Sequence, residues 1–582
     1  MALFERTESG LSSTSVALIS ILVTCVFVLV RRGYPHPLPG IPYNERSTRR
    51  LMGDLPEIAE FGTKAGSFRL WFVEQGTRHN SAITQIFLGP FLKPAVIVSD
   101  YREVHDILSH RDAVDFKRGK KVDAFRGILP HAFPAMETFH QHFKPSRDLA
   151  RDLMTPSILN NVNAPKIHDV TTNLLQLWRL KMESADGRAF DVSHDVSEFS
   201  FDAILSAATG LGLDGGDIKC QFLHLQRSTP ITQSGNDSTV ISFPSTPTSS
   251  KLAALRVDED SLWKGFVVPW PGLYHTLNNL RPKVRRARRI LQNHIASQIA
   301  LNLSLFQSGA EKEPACALEY VMQRELLAAQ KAGRPPVLDD PRILEPIYGY
   351  LIAGHDTSSG SLLWIIRRLV AHPREQNLIR QSLRETYDNA WREKRLPTAA
   401  ELVKVRCPYL DAFIEETLRL NPPVVNIMVQ TRYDTQVLGR HIPADTSVFL
   451  NLSGPSINEP SIFVQENHRS PTSLHSHPAQ KDNWDGDDPF GFRPERWLTR
   501  DSSGSGKQVF NAGQGPALAF SAGNRGCWGK RLGYLELRIV ASLLVWEFEF
   551  QGVPAELVSW ETYDSLVTAP KECYVRLAEA SG

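Results

Sequence analysis

The chain has 582 residues, 42% of them apolar and 22% charged, with 65 Lys and Arg against 63 Asp and Glu. That composition can bury a large core, which excludes disorder and collagen-like repeats, and a net charge of +2 gives no overall basic field for nucleic acid. The six cysteines (Cys25, Cys220, Cys316, Cys407, Cys527 and Cys573) are scattered and form no C-x-x-C pair, which argues against a disulfide framework or a thiolate zinc site.

The first predicted element is a transmembrane anchor over residues 11–30, behind a short lumenal tail at 1–10. Glu8 and Arg31 are separated by uncharged residues only, and 16–30 are almost wholly apolar; about 20 such residues cross a bilayer. The run ends in Arg31-Arg32 without the small residues of a cleavage site, which favours an uncleaved anchor over a signal peptide. Arg31, Arg32, Arg46, Arg49 and Arg50 outweigh Arg6, so the bulk of the chain is expected in the cytosol. Asn236, Asn302 and Asn451 stand in glycosylation patterns that would report the opposite orientation. Prolines crowd a linker at 31–56 and stiffen it. A single large domain is expected over 57–582.

Within that domain, β-rich pieces at 82–87, 95–98, 429–433 and 448–452 accompany helical patterns at 285–305, 342–370 and 528–548. The fold class is therefore mainly α with a small β-sheet region. Two polar insertions, 228–250 and 466–488, read as surface loops. The second carries His468, His475 and His477, whose spacing matches no compact metal-ligand pattern.

The apolar stretch 342–370 contains Ala353-Gly354-His355-Asp356-Thr357-Ser358. A charged and hydroxylated patch in such a helix is costly to bury without a purpose, and Thr357 can back-bond to the preceding turn. Further on, Glu416 and Arg419 share a helix face at i,i+3, and Pro422-Pro423 ends that helix. Pro494-Glu495-Arg496-Trp497 follows.

The richest segment runs from Phe520 to Arg538. Gly523, Gly526 and Gly529 surround Cys527, and a helical pattern starts just after it. Glycines permit close backbone approach and positive φ. A sulfur at a helix N-terminus near Arg525 is favoured as thiolate. A phosphate loop is rejected, because Asn524 and Arg531 replace the required Gly and Ser/Thr. Two readings stay open on these residues alone, a nucleophilic cysteine and an axial thiolate to haem iron.

Phe520, Gly523, Arg525, Cys527 and Gly529 resemble the F-x-x-G-x-R-x-C-x-G signature of the cytochrome P450 family. Glu416–Arg419 is similar to its E-x-x-R, Pro494–Trp497 to its P-E-R-[FW], and Ala353–Ser358 to its [AG]-G-x-[DE]-T-[TS], all in family order. The resemblance implies one haem domain holding haem b (iron protoporphyrin IX), with Cys527 as iron ligand and Phe520, Gly523, Arg525 and Gly529 around the cofactor. It makes Asp356 and Thr357 the proton-delivering pair, and Glu416, Arg419 and Arg496 a structural network. The family usually places a Trp before an Arg on a helix touching the haem propionates; 143–151 has no Trp, so Arg151, or else Arg147, is the propionate candidate. The resemblance further implies a monooxygenase in the endoplasmic reticulum membrane that acts on a lipophilic small molecule. Its electrons would come from an NADPH-dependent flavoprotein reductase docked on Lys530, Arg531 and Lys144. The pocket segments would be 122–133, 348–354, 424–428 and 566–569. The insertions and Pro269-Trp270-Pro271 look like filamentous-fungal members that tailor terpenoids, polyketides or steroid-like molecules. A haem-thiolate isomerase or dehydratase, and a non-enzymatic haem protein, are the alternatives; neither needs the pair Asp356-Thr357.

Overall fold

The structure is a computed structural model and describes residues 13–210, 216–227, 239–307, 313–475, 482–484, 486, 488–501 and 506–580. Helices dominate, and the small sheets lie to one side. The expected anchor is helix α1 (Ser13–Gly33), ending in Arg31 and Arg32. Its apolar side chains from Leu18 to Val30 are exposed. Among the described residues no helix is long and apolar enough to cross a membrane, and the side chains of α1 are described only from Ala17 onward.

The linker is more than a spacer. Gln85 holds its second half through hydrogen bonds with Leu38 and Ile41, and Ile41 is buried. A five-stranded sheet follows, with β1 (Ile83–Ile86), β2 (Ala95–Val98), β3 (Phe116–Lys117), β4 (Asn426–Thr431) and β5 (Ser447–Asn451). The spatial order is β1-β2-β5-β4-β3, with only β2 and β5 parallel. β1 and β2 are buried along their whole length, as expected for strands covered on both faces. The short pairing of Phe116 with Thr431 has a consequence for the site, because Arg118 and Lys121, which follow it, are partly enclosed while Lys120 between them is exposed.

Helix α2 (Lys120–Arg126) comes next, then α3 (Phe143–Arg151), α4 (Ala164–Ala185), α5 (Ser193–Thr209), α6 (Ser250–Val267), α7 (Pro271–Asn278) and α8 (Pro282–Gln307). The long central helix is α9 (Pro341–Ala371). Leu351, Ile352, Leu362, Leu363, Ile365, Ile366 and Leu369 are buried on it, so it is apolar nearly all round, as a helix inside a large core must be. Helix α10 (Pro408–Leu420) carries the Glu416–Arg419 pair, and α11 (Lys530–Glu547) begins just after Cys527. Both pack against α9. A hairpin of β6 (Thr562–Asp564) and β7 (Thr568–Pro570) closes over α9.

The insertions differ from the expected solvated loops. Residues 228–238 lie outside the described residues, but 239–249 are docked: Thr239 and Ile241 pair with Ala189, and Ile241 is buried. In the second insertion, Arg102 binds Glu466 and Arg469 binds Asp100 at 2.7 Å, while Trp484 is fully buried. His477 lies outside the described residues, and among those described no group of side chains could hold a metal ion. Asn302 and Asn451 are buried, so neither can report the chain's orientation by glycosylation.

Candidate active site

Cys527 sits in a tight loop before α11, its N–H donating to the Phe520 carbonyl at 2.8 Å. Gly523 has φ +66°, and a Cβ there would lie 2.0 Å from the Leu108 carbonyl oxygen. Only glycine fits. Gly526 and Gly529 keep negative φ, so of the three glycines only Gly523 is left-handed, and Ser521 shares that region at φ +57°. The Phe520 ring packs on Tyr534 of α11 with centroids 4.7 Å apart. Cys527 is enclosed by protein yet accessible to solvent, which places it on the wall of an internal space rather than in packed core. Burial pushes its thiol up, against the pull of the Gly529 N–H and the Lys530 charge. The expected helix-start stabilisation is therefore present but outweighed. A metal ion bound to the sulfur is what deprotonates such a thiol outright.

Helix α9 passes beside this loop and is tied to it at two points. Tyr350 packs edge-on against Trp528, with centroids 5.9 Å apart, and Ser358 Oγ donates to Glu536 of α11 at 2.7 Å. Between these ties Ala353 is exposed in the middle of an otherwise buried helix, so it too faces internal space. Thr357 lies one turn further along that face and donates to the Ala353 carbonyl at 2.6 Å, the back-bond expected from its position. Asp356 accepts from Ser565 Oγ at 2.6 Å. His355 points elsewhere, with Nδ1 2.8 Å from Glu259 of α6.

Arg525 is half-buried and donates to Thr138 Oγ1 and to the carbonyls of Phe133 and Met136. Burial, then the nearby Arg118, lowers it to about 10. Arg118 and Lys121 were not singled out by the sequence, since they lie in a Lys-Arg-Gly-Lys-Lys run that reads as a solvated stretch. Both are enclosed, and burial lowers both, Lys121 to about 7. Arg151 does not join this cluster. It is largely exposed and turns toward Asp148, one turn back on α3, and Asp152, the first residue after it. Arg147, one turn earlier, donates to the Asn524 carbonyl of the cysteine loop. Lys530 thus acts on Cys527 directly, Arg118 and Arg147 act on Arg525, and Arg151 turns to its neighbouring acids instead.

The Glu416 network is complete and fully buried. Its carboxylate accepts from Arg419 twice at 2.8 Å, from the Arg493 N–H, from Arg496 Nε and from Trp497 Nε1, the last three at 2.9 Å. Arg419 spends further donors on the carbonyls of Ile457, Pro489 and Gly491. Trp484 lies against Arg419 and Arg496, whose guanidinium carbons are 5.6 and 4.7 Å from its ring centre. Nothing in the polar stretch around Trp484 signalled this role.

Comparison with known proteins gives one consistent result. A family model described as cytochrome P450 matches residues 77–465 and 471–577. Cytochrome P450 monooxygenase xilC of Penicillium rubens is 32% identical over 97% of this chain and 98% of its own length. Cytochrome P450 monooxygenase TRI13 of Fusarium sporotrichioides is 30% identical over 96% and 98%. The crystal structure of a cytochrome P450, CYP102L1, shares the fold with a TM-score of 0.63, at 17% identity over 94% of this chain and 99% of that one.

Proposed function

The chain belongs to the cytochrome P450 family of monooxygenases, whose cofactor is haem on a cysteine thiolate, and from that premise we propose the following. It is a membrane-anchored monooxygenase that takes electrons from an NADPH-dependent flavoprotein reductase. It hydroxylates, or similarly oxidises, a lipophilic small molecule of fungal secondary metabolism, of terpenoid, polyketide or steroid-like type. The observation that carries the reading is the solvent-accessible Cys527, in a loop tied through Trp528, and through Glu536 of the following helix, to α9, which bears the back-bonded Thr357 and the adjacent Asp356.

The residues present fit the cofactor. Cys527 is a soft donor, and the Trp528 indole N–H beside it is buried with no hydrogen-bond partner among the described residues. Arg118 acts on Arg525 and partial burial lowers both, which suits the two carboxylates of haem b. Cys527 would hold the iron, with Arg118, Arg525 and Arg147 toward the propionates. The bound haem supplies the activation of O2, and thiolate ligation favours O–O cleavage. The chain's own part is positional. Thr357 frees space on the helix face by turning its hydroxyl to Ala353. Asp356, held by Ser565, is the side chain that can hold and pass a proton at this point. Phe520 packs under the cysteine loop, and Val424, Ile427 and Leu566, all partly accessible, offer an apolar lining.

The anchor is proposed from the sequence alone: the uncharged run that ends at Arg31 and Arg32 favours a single pass of the endoplasmic reticulum membrane with a cytosolic domain. Lys530, Arg531 and Lys144 are exposed on the thiolate side, a basic surface suited to an acidic reductase. The test is the carbon-monoxide difference spectrum of the reduced protein, followed by turnover with NADPH and reductase and then with an organic peroxide alone. The red-shifted thiolate band with reductase-dependent turnover supports the proposal. Turnover of the peroxide alone makes the chain an isomerase or dehydratase, and a histidine-type band or absence of haem rejects it.

A further inference from the structure

The mechanism leaves one buried cation unused. Lys121 stands in the first turn of α2 with its ammonium 4.8 Å from the ring centre of Phe266. Arg69 lies over Trp263 at 4.1 Å, one turn earlier on the same face of α6. Its guanidinium donates to the carbonyls of Ser565 at 2.8 Å and Leu566 at 3.1 Å, and Ser565 is the residue that holds Asp356. The two cations therefore line one wall, which runs from the aromatic face of α6 to the proton-handling residues of α9.

Lys121 has no hydrogen bond or ion pair among the described residues, and the charges acting on it are Arg69 and Arg118, both positive. The nearby acids are committed elsewhere. Glu137 accepts from the N–H groups of Arg118 and Gly119, Asp123 pairs with Arg126, and Asp564 accepts from Ser67 and Thr568. An enclosed cation without an anion is unfavourable and either loses its proton or takes a counter-ion from outside. Arg118 acts on both Lys121 and Arg525, and Lys121 also has Arg69 beside it, whose guanidinium reaches the Ser565–Leu566 turn.

We propose that the molecule this enzyme oxidises carries a carboxylate, and that Lys121, flanked by Arg69, receives it. This rests on the monooxygenase reading above and narrows its substrate to a lipophilic acid. The carboxylate sits at Lys121, the apolar body runs along Phe266 and Leu566, and the carbon to be oxidised reaches the space beside Thr357.

The test uses the full-length haem-loaded protein and two probe pairs, dodecanoate and dehydroabietate, each against its methyl ester. Binding is read from the spin-state shift of the haem absorption. At least one acid is expected to bind about tenfold more tightly than its ester, the scale of one charge-assisted contact. Lys121→Met removes that preference while leaving the ester's affinity unchanged, and Lys121→Arg keeps it. Equal binding of acids and esters, or no binding of either acid, overturns the inference, as does a preference that survives Lys121→Met. Loss of haem from Lys121→Met also overturns it, by assigning the lysine to the propionates. Failure here with the thiolate spectrum intact leaves the monooxygenase reading standing, whereas loss of that spectrum from the wild type removes both.

Discussion

Two clusters of buried arginine and lysine lie in this molecule, and they are built on opposite plans. Around Glu416 every charge is answered: one carboxylate takes five donors from Arg419, Arg493, Arg496 and Trp497, and the remaining guanidinium groups find carbonyls. Around Arg118, Lys121 and Arg525 the carboxylates of Asp112 and Glu137 act on the two arginines without offsetting burial, the charges acting on Lys121 are both positive, and burial lowers all three. A buried polar network is stable only when each member is satisfied, so the first cluster is scaffold and the second is a receptor for anions the chain does not supply. The same residue types thus mark structure in one place and a binding site in the other, and the count of partners tells them apart.

The largest effect expected from this contrast is on folding. Glu416→Ala leaves Arg419 and Arg496 without a carboxylate in a site closed to water, which costs about 3–5 kcal/mol out of a typical total of about 5–15 kcal/mol. Thermal or urea unfolding of the purified protein measures it. A loss below about 1 kcal/mol, the worth of an exposed pair, would mean that this network is not the scaffold it resembles.

Arg118→Met should act with the opposite sign in the haem-free chain. Removing an enclosed cation relieves a desolvation cost that Asp112 and Glu137 offset only in part, so the melting temperature stays the same or rises. Haem retention falls about tenfold or more, because a charge-assisted contact to a propionate is lost. Transfer of haem to a scavenger protein reads this directly. If Arg118→Met destabilises the haem-free chain as Glu416→Ala does, the two clusters are not different in kind.

The closed cluster was far more legible in the sequence than the open one. Glu416, Arg419 and Arg496 fall in motifs with fixed spacing, as do Cys527, Asp356 and Thr357, and local geometry then follows from helix periodicity and one obligatory glycine at Gly523. Arg118 and Lys121 carry no such mark. Their basic run has the composition of a solvated face, and it becomes interior only because Phe116 pairs with Thr431 across more than 300 residues. Trp484 was hidden for the same reason, as an apolar residue in a polar stretch whose partners are distant. Arg151 is a third case. Helical spacing puts it on the face of Arg147, but the cysteine loop reaches only the earlier turn of α3, and Asp152 takes the later one.

A smaller, chemical effect separates Thr357 from its role in packing. Its hydroxyl is back-bonded to Ala353, so Thr357→Ala should fold and hold haem normally. Coupling of NADPH use to product is expected to fall severalfold, on the low side of what a proton-transfer group contributes, with hydrogen peroxide as the balance. Thr357→Ser, which keeps the hydroxyl, should restore most of it. Full coupling in the alanine variant would remove Thr357 from proton delivery.

The smallest effect is the most specific to the open cluster, and it appears as a pH dependence. Burial lowers Lys121 from 10.5 to about 7, so between those values the unfolded chain binds a proton that the folded chain does not. Stability then rises with pH across that interval, because the unfolded state carries more protons. Below about pH 7 both states are protonated and the penalty is fully present; above about 10.5 both are neutral and it is gone. Haem-free Lys121→Met should therefore be the more stable protein at pH 6.5, and its advantage over wild type should shrink steadily toward pH 9. Saturating carboxylate should abolish the advantage at the lower pH, since an anion beside the ammonium restores its charge and raises its pKa. An advantage that does not change with pH would mean that Lys121 keeps its proton in the folded chain. It would then have an internal answer to its charge, and this end of the cluster would belong with Glu416 rather than with the ligand.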